Sequence, residues 1–318
     1  MKRLSQQQVD QFNEHGVLIA DDVLTDADLA PVIAAFERWI DEAARQSQRE
    51  GTVTDLHEGE PFDRRLCGLW QQDNRIVSDM DIIKSRLPDV YEFHFNEHLL
   101  DAIEDLIGPE ISINPIEHVR AKLPISVTNE NISFQNVPWH QDAAVTWEEA
   151  DDSQIITCWI PLVDATRANG CMRVIPGMNK RGYLEHVADP QTRVSNAAFP
   201  HDTEPIVAEC RKGGIVLMSR YTPHSGLVNH SNHIRWSLDL RYHPTGQLSG
   251  RPFFPTFVAR SAAQPDAVER DYDDWRAQWD DALTRSTGIV WHRTTPVEKR
   301  IPADSPHASR RDRGLGVV

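Results

Sequence analysis

The sequence predicts a mainly β protein with helical flanks, an antiparallel sandwich or barrel preceded by helices. From 111 to 242, short β-rich runs at 111–123, 154–163, 171–175, 206–209, 215–219 and 234–242 are separated by Gly, Pro, Asn and Asp, the mark of repeated antiparallel strands. The first hundred residues carry apolar positions at helical spacing instead. With 318 residues, 40% hydrophobic and 25% charged, the chain has the composition of a globular protein and the material for a substantial core.

In chain order, Ser5-Gln6-Gln7-Gln8 has the form of a capping box and opens a short helix to about 14, which His15-Gly16 stops before the apolar run Val17-Leu18-Ile19-Ala20. A second helix runs from 25 to about 46 on the apolar spacing of Leu29, Val32, Ile33, Phe36, Trp39 and Ile40. The stretch 47–75, with Gly51, Gly59, Pro61 and Gly68 among many charges, is expected to be a long loop or lid. A helix over 96–107 ends at Gly108-Pro109. Within the strands, alternation puts His118, Arg120 and Lys122 on one face, and Arg235, Ser237, Asp239 and Arg241 on one face. After Gly250 one more helix is expected at 272–285, packing Trp275 and Trp279, and residues 296–318 read as a flexible tail. The economical partition is one domain over 1–295, with a helical flank 1–110, a β core 111–245 and an extension 246–295.

The formal charge of −15 speaks against a nucleic-acid or anionic-membrane partner, which would need an excess of Lys and Arg. A small-molecule substrate is expected. No apolar run approaches the roughly 20 residues of a spanning helix, and the polar N-terminus lacks the apolar stretch of an export signal, so a cytoplasmic protein is expected. Cys67, Cys158, Cys171 and Cys210 form no C-x-x-C pair and read as reduced, structural thiols.

The chemistry lies in Val137-Pro138-Trp139-His140-Gln141-Asp142. On extended backbone, residues i and i+2 point the same way, so His140 and Asp142 can offer a nitrogen and a carboxylate oxygen to one ion. Two histidines and a carboxylate on one face of an octahedral ion leave the other positions open, the arrangement of non-haem iron oxygenases. Alone the pair is a weak signal, because 14 histidines make about one chance His-x-Asp expected. His224, in Tyr221-Thr222-Pro223-His224-Ser225-Gly226, is a candidate third ligand, and Arg235, eleven residues on, can hold a dicarboxylate bidentately.

These residues resemble the phytanoyl-CoA dioxygenase family. The resemblance rests on Trp139-His140-Gln141-Asp142, Cys158-Trp159-Ile160-Pro161-Leu162, the run Asn169 to Gly177, Gly213-Gly214-Ile215-Val216-Leu217, and His224 with Asn229 and Arg235, with the opening His15-Gly16-Val17 also similar. It implies a double-stranded β-helix, a cupin-like jelly roll with the N-terminal helices packed on one sheet. It also implies Fe(II) and 2-oxoglutarate as cofactors, O2 as co-reactant, and oxidation of an unactivated C–H bond with release of succinate and CO2. By the same resemblance His140, Asp142 and His224 hold the metal, Arg235 clamps 2-oxoglutarate, Trp159 lies against it, and Gln141, His118 and Arg120 stand nearby.

Where the family often has Gly-Ser after the distal histidine, this chain has Ser225-Gly226, so the serine's support would fall to Thr157 or Ser237. Arg120, Arg241 and Lys122 are candidates to pair with an anionic substrate, and Trp70, Trp139 and Trp147 to form an apolar wall. The acidic run Glu148, Glu149, Asp151 and Asp152 reads as a solvated loop. Two other classes stay open: a cupin-like metalloenzyme that does not use 2-oxoglutarate, and a barrel that only binds a ligand.

Overall fold

In a computed structural model the described residues are 3–128, 137–186 and 204–310. The N-terminal elements are α1 (Gln6–His15), β1 (Val17–Ala20) and α2 (Asp26–Arg49). Then come α3 (Phe62–Gln72), α4 (Ile82–Ser85), α5 (Pro88–Phe93) and α6 (Glu97–Ile107). The strands follow as β2 (Ile111–Ile113), β3 (His118–Lys122), β4 (Ile156–Pro161), β5 (Met172–Val174), β6 (Ile206–Ala208), β7 (Ile215–Ser219), β8 (His224–Gly226), β9 (Arg235–Pro244) and β10 (Phe257–Arg260), before α7 (Tyr272–Arg285).

Local chemistry sets the helix starts. Ser5 and Gln8 cap α1 reciprocally, and Gly16, at φ 68°, ends it in the left-handed conformation. Thr25 and Asp28 cap α2 in the same way. The Asp28 carboxylate also accepts from the Asn96 side chain at 2.8 Å and pairs with His98 at 2.8 Å, which ties α2 to the start of α6.

Among the described residues, β1, β7, β4, β9, β2 and β10 lie in that order in one antiparallel sheet, with β3 paired to the first half of β9. A second sheet has the order β6-β5-β8, and the two face each other as a double-stranded β-helix. Period-two alternation on the large sheet divides the molecule into layers. Ile156, Cys158 and Ile160 of β4, Ile215 and Leu217 of β7, and Trp236, Leu238, Leu240 and Tyr242 of β9 pack with Leu29, Phe36, Leu66 and Leu69 of the helices. Trp159, Val216 and Met218 point the other way, into the gap between the sheets, against Met172 and Val174. The inward face of β9 is polar, and that gap is where the chemistry sits.

Several expectations are corrected. The stretch 47–75 is not one long loop: α2 runs on to Arg49, and α3 buries Leu66, Leu69 and Trp70. Trp236 stacks on Phe62 with ring centroids 4.7 Å apart and donates to the Phe62 carbonyl. Gly68, read as a loop former, is a contact glycine: a Cβ there would stand 2.5 Å from His57 Nε2. β8 and β10 were not predicted as strands; each is only three or four residues long. Residues 296–310 are not a loose tail, since Ile301 is buried and Arg300 forms a bidentate pair with Glu148 at 2.6 and 2.9 Å. Residues 311–318 lie outside the described residues. The four cysteines are free, and no helix among the described residues is long and apolar enough to cross a membrane.

If α3 is a packed layer, Leu69→Ala should cost about 2–5 kcal/mol of folding stability, as core leucine truncations do. Urea unfolding followed by circular dichroism measures this; a loss below about 0.5 kcal/mol, typical of exposed sites, would restore the loop.

Candidate metal centre

His140 and His224 are brought together by the backbone. They form an isolated antiparallel bridge, with the His140 amide donating to the His224 carbonyl at 3.0 Å and the His224 amide returning to the His140 carbonyl at 2.9 Å. Their rings lie side by side with centroids 4.2 Å apart. Asp142 follows at i+2, as the alternation requires, and then turns into a 3-10 helix (Asp142–Val145). Its Oδ1 stands 3.8 Å from His140 Nε2 and 3.9 Å from His224 Nε2, so one oxygen and two nitrogens converge within 4.8 Å of one another.

The hydrogen bonds fix which nitrogen is offered. Nδ1 of His140 donates to the Pro138 carbonyl and Nδ1 of His224 to the Thr222 carbonyl, both at 2.9 Å. Each ring therefore turns its Nε2 lone pair to the common point, the tautomer a metal ligand needs. Burial, and then the neighbouring His224, push the His140 imidazole down to about 3, so it is neutral at physiological pH. Burial alone would raise the Asp142 carboxyl, but the Arg241 guanidinium and the two imidazoles hold it well below the usual carboxylate range. Arg241 binds that carboxylate bidentately, Nη2 to Oδ1 at 2.7 Å and Nε to Oδ2 at 3.1 Å, and Thr157 Oγ1 donates to Oδ2.

His140 and His224, with the Thr157 and Arg241 that hold Asp142, line a cavity of about 270 Å³. At one end stand Lys122 and Arg235, paired in register on β3 and β9. Arg235 is buried, lies over the Trp159 ring at 5.1 Å and gives Nη1 to Ser237 at 2.6 Å, while its Nε has no partner. Lys122 Nζ is also buried without a partner. Burial, reinforced by Arg235, pushes this ammonium down to about 6, and burial pushes the Arg235 guanidinium down to about 10. Two buried basic side chains with unused donors, neither in an ion pair with an acid among the described residues, form a receptor for a carboxylate.

The reversed Ser225-Gly226 order now has a structural reading. Alternation along β8 turns Ser225 outward, where it accepts from Arg173 Nε at 2.7 Å, and turns Gly226 to the cavity. A Cβ at Gly226 would stand 2.9 Å from Lys122 Nζ, so the glycine makes room for the lysine.

The other expected residues divide. Trp159, Thr157, Arg120 and Arg235 line the cavity. Thr157 serves Asp142 and Ser237 serves Arg235, each fixing a functional group from behind. Gln141 does not face the cavity: its amide donates to the Gly182 and Tyr221 carbonyls and its oxygen accepts from the Leu184 amide, so it is fully used outside. His118 pairs with Asp81 at 2.9 Å and is not among the lining residues. Arg241, expected to meet an anionic substrate, is committed to Asp142 and to the Ile116 carbonyl. Of the expected apolar wall, Trp70 lines the cavity. Trp139 lies under Arg173, and Trp147 is fully buried against Phe253 and Trp291. Lys122 was assigned to the substrate; nothing in the sequence showed that its register partner would be Arg235.

The acidic run after the metal motif is only partly solvated: Asp152 is exposed, but two of its acids are paired. Glu148 pairs with Arg300, and Asp151 with Arg293 and Arg220. Arg293 also donates from its amide to the Ala144 carbonyl at 2.9 Å and from Nε to the Thr146 carbonyl at 2.6 Å, while Arg251 Nε reaches the Val145 carbonyl at 2.8 Å. The turn that carries Asp142 is thus braced by residues more than a hundred positions away.

Residues 12–237 match the family described as phytanoyl-CoA dioxygenase. The mouse phytanoyl-CoA dioxygenase domain-containing protein 1 is 25% identical over 274 residues, covering 74% of this chain and 88% of that protein. Among solved structures, the non-haem monooxygenase ThoJ is similar at 18% identity with a TM-score of 0.59, over 87% of this chain and 95% of that one. The epimerase SnoN, in complex with Fe3+, α-ketoglutarate and nogalamycin RO, is similar at 16% identity and TM-score 0.51, over 77% of this chain and 86% of that one. The chain belongs to the phytanoyl-CoA dioxygenase family.

Because Thr157 orients the ligating carboxylate, Thr157→Val should weaken binding of a divalent ion by about ten-fold or more, the usual effect of removing a support behind a ligand. Anaerobic calorimetric titration with iron(II) reads it, and unchanged affinity would remove Thr157 from the metal centre.

Proposed function

We propose that this member of the phytanoyl-CoA dioxygenase family is an Fe(II)/2-oxoglutarate-dependent oxygenase that oxidises an unactivated C–H bond of a small molecule, with hydroxylation as the outcome. The observation that carries the reading is one cavity with two unlike ends: a triad of two imidazoles and a carboxylate at one, and at the other two buried basic side chains in no ion pair among the described residues. A molecule that chelates a metal at its head and carries a carboxylate at its tail fits both ends. The donor set, two nitrogens and one oxygen on one side of the ion, suits iron(II) and leaves positions for such a chelate. When bound, iron(II) with 2-oxoglutarate and O2 supplies the oxidising power for C–H cleavage, with release of succinate and CO2.

The chain's own residues do the placing. His140 and His224 present Nε2, Asp142 presents Oδ1, and Arg241 and Thr157 keep that carboxylate from turning. Lys122 and Arg235 take the distal carboxylate, with Trp159 as an apolar floor beneath Arg235. Asp142 fills the place a halide would need, which speaks against halogenation. A cupin-like enzyme without the dicarboxylate would have no use for two buried cations, and a binding-only barrel would have none for two oriented Nε2 lone pairs.

Anaerobic titration of the iron(II)-loaded protein with 2-oxoglutarate should raise the weak visible band of the chelate, and folded protein giving no band would sink the assignment. Arg235→Ala and Lys122→Met should each raise the 2-oxoglutarate KM about ten-fold or more with a smaller effect on kcat, since both act on binding rather than on the reacting bond.

Lys122 also sets a pH dependence. Its ammonium titrates near 6 in the free site, and a bound carboxylate would raise that value. Between the two values binding must take up a proton, so 2-oxoglutarate affinity should fall as pH rises from about 6.5 to 8.5, by at most ten-fold per unit. Calorimetry in buffers of different ionisation enthalpy should register proton uptake near pH 7.5, and Lys122→Met should abolish it. Uptake that persists in the variant would assign the proton elsewhere.

A further inference from the structure

The substrate's chemical class follows from counting which charges around the cavity are already committed, on the premise of the 2-oxoglutarate reading above. Among the described lining residues the lysines and arginines are Arg120, Lys122, Arg235 and Arg241. Arg241 is spent on Asp142 and the Ile116 carbonyl, and Lys122 with Arg235 on the cosubstrate. Arg120 gives Nε to Asp239 Oδ2 at 3.2 Å. Among the described lining residues, each cation is thus either neutralised by a carboxylate or assigned to the cosubstrate, so no net positive charge is left for an anionic substrate.

The acids tell the complementary story. Asp81 also lines the cavity, but Oδ1 accepts from the Ile82 and Val119 amides at 2.9 and 3.3 Å, and Oδ2 is paired with His118. Asp239 differs. Its Oδ2 meets Arg120, but its Oδ1 is buried with no partner. Its place on β9 is the inward one between Ser237 and Arg241, opposite Trp159 on β4, beside the metal-binding end. A buried carboxylate oxygen without a donor is costly, and so rare that a ligand is the natural account of it. Facing this region, Trp70, Val77 and Met80 of the helical layer present apolar surface.

We propose that Asp239 is a specificity-determining residue that accepts a hydrogen bond from a hydroxyl of the substrate, and that the substrate is a neutral alcohol with an apolar body. Arg120 holds the carboxylate in place and is held by it, so the pair presents an acceptor and no net positive charge. The unactivated carbon lies within the apolar body, and the hydroxyl fixes which part of that body faces the iron.

The test uses protein loaded anaerobically with iron(II) and 2-oxoglutarate, and three probes of one shape: cyclohexanol, methoxycyclohexane and cyclohexanecarboxylate. Binding is followed at millimolar probe by the shift of the visible chelate band and by tryptophan fluorescence. Cyclohexanol should bind about ten-fold or more tighter than the other two, the fold-change expected of a hydrogen bond to a charged group. Asp239→Ala should abolish that preference and, by freeing Arg120, make cyclohexanecarboxylate the best of the three. Carboxylate binding equal to or tighter than alcohol in the unmodified protein, or no probe binding at all, overturns the proposal even if the variant fails to fold. A chelate band that never forms with 2-oxoglutarate overturns the cosubstrate reading and this inference with it; a band that forms with no alcohol preference overturns this inference alone.

Discussion

The structure turns on a strand that is buried on both faces and is charged on one of them. β9 presents Trp236, Leu238, Leu240 and Tyr242 to the helices and Arg235, Ser237, Asp239 and Arg241 to the space between the sheets. Burying an ionised group is expensive unless something of opposite charge or polarity meets it. Each inward charge therefore dictates a neighbour. Arg241 requires Asp142, which draws the metal motif onto the strand; Asp239 takes Arg120 from β3; Arg235 takes the Ser237 hydroxyl and still has Nε unsatisfied. The site is what remains when those demands are met as far as the protein alone can meet them.

What the sequence disclosed and what it withheld follow from the same distinction between facing and pairing. Alternation is local, so the inward faces of β3 and β9 were readable, and so was the convergence of His140 with Asp142 at i and i+2. Partners are not local. Arg241 and Lys122 both looked like substrate cations, because a sequence shows that a side chain points inward without showing what stands opposite. Gln141 fell to the same blindness: flanked by two ligands, its own side chain points away, as the residue between i and i+2 on extended backbone must. Its amide instead binds the backbone of the 182–184 stretch.

The misread helix has a different cause. Turn formers at Gly59, Pro61 and Gly68 looked like one long loop, but Pro61 caps α3 and Gly68 lies within it, where His57 leaves no room for a side chain. Glycine's two meanings, freedom of backbone and closeness of contact, cannot be told apart without the neighbour. The three-residue β8 was missed for want of length, yet it carries His224. Its reversed Ser-Gly order showed only that the family's serine could not serve; that the glycine instead admits Lys122 is visible only across the gap between the sheets.

The carboxyl-terminal part of the chain enters this logic from outside. The family match ends at 237, yet Arg251, Arg293 and Arg300 converge on the segment that leaves Asp142. That segment needs them. A 3-10 turn is short and leaves the carbonyls of 144–146 without helical partners, and donors of Arg251 and Arg293 satisfy them while Asp151 neutralises the charge Arg293 introduces. A carboxylate pinned by Arg241 and Thr157 at its tip is held only as well as the backbone behind it. The extension therefore belongs to the metal centre mechanically, although none of its described residues lines the cavity.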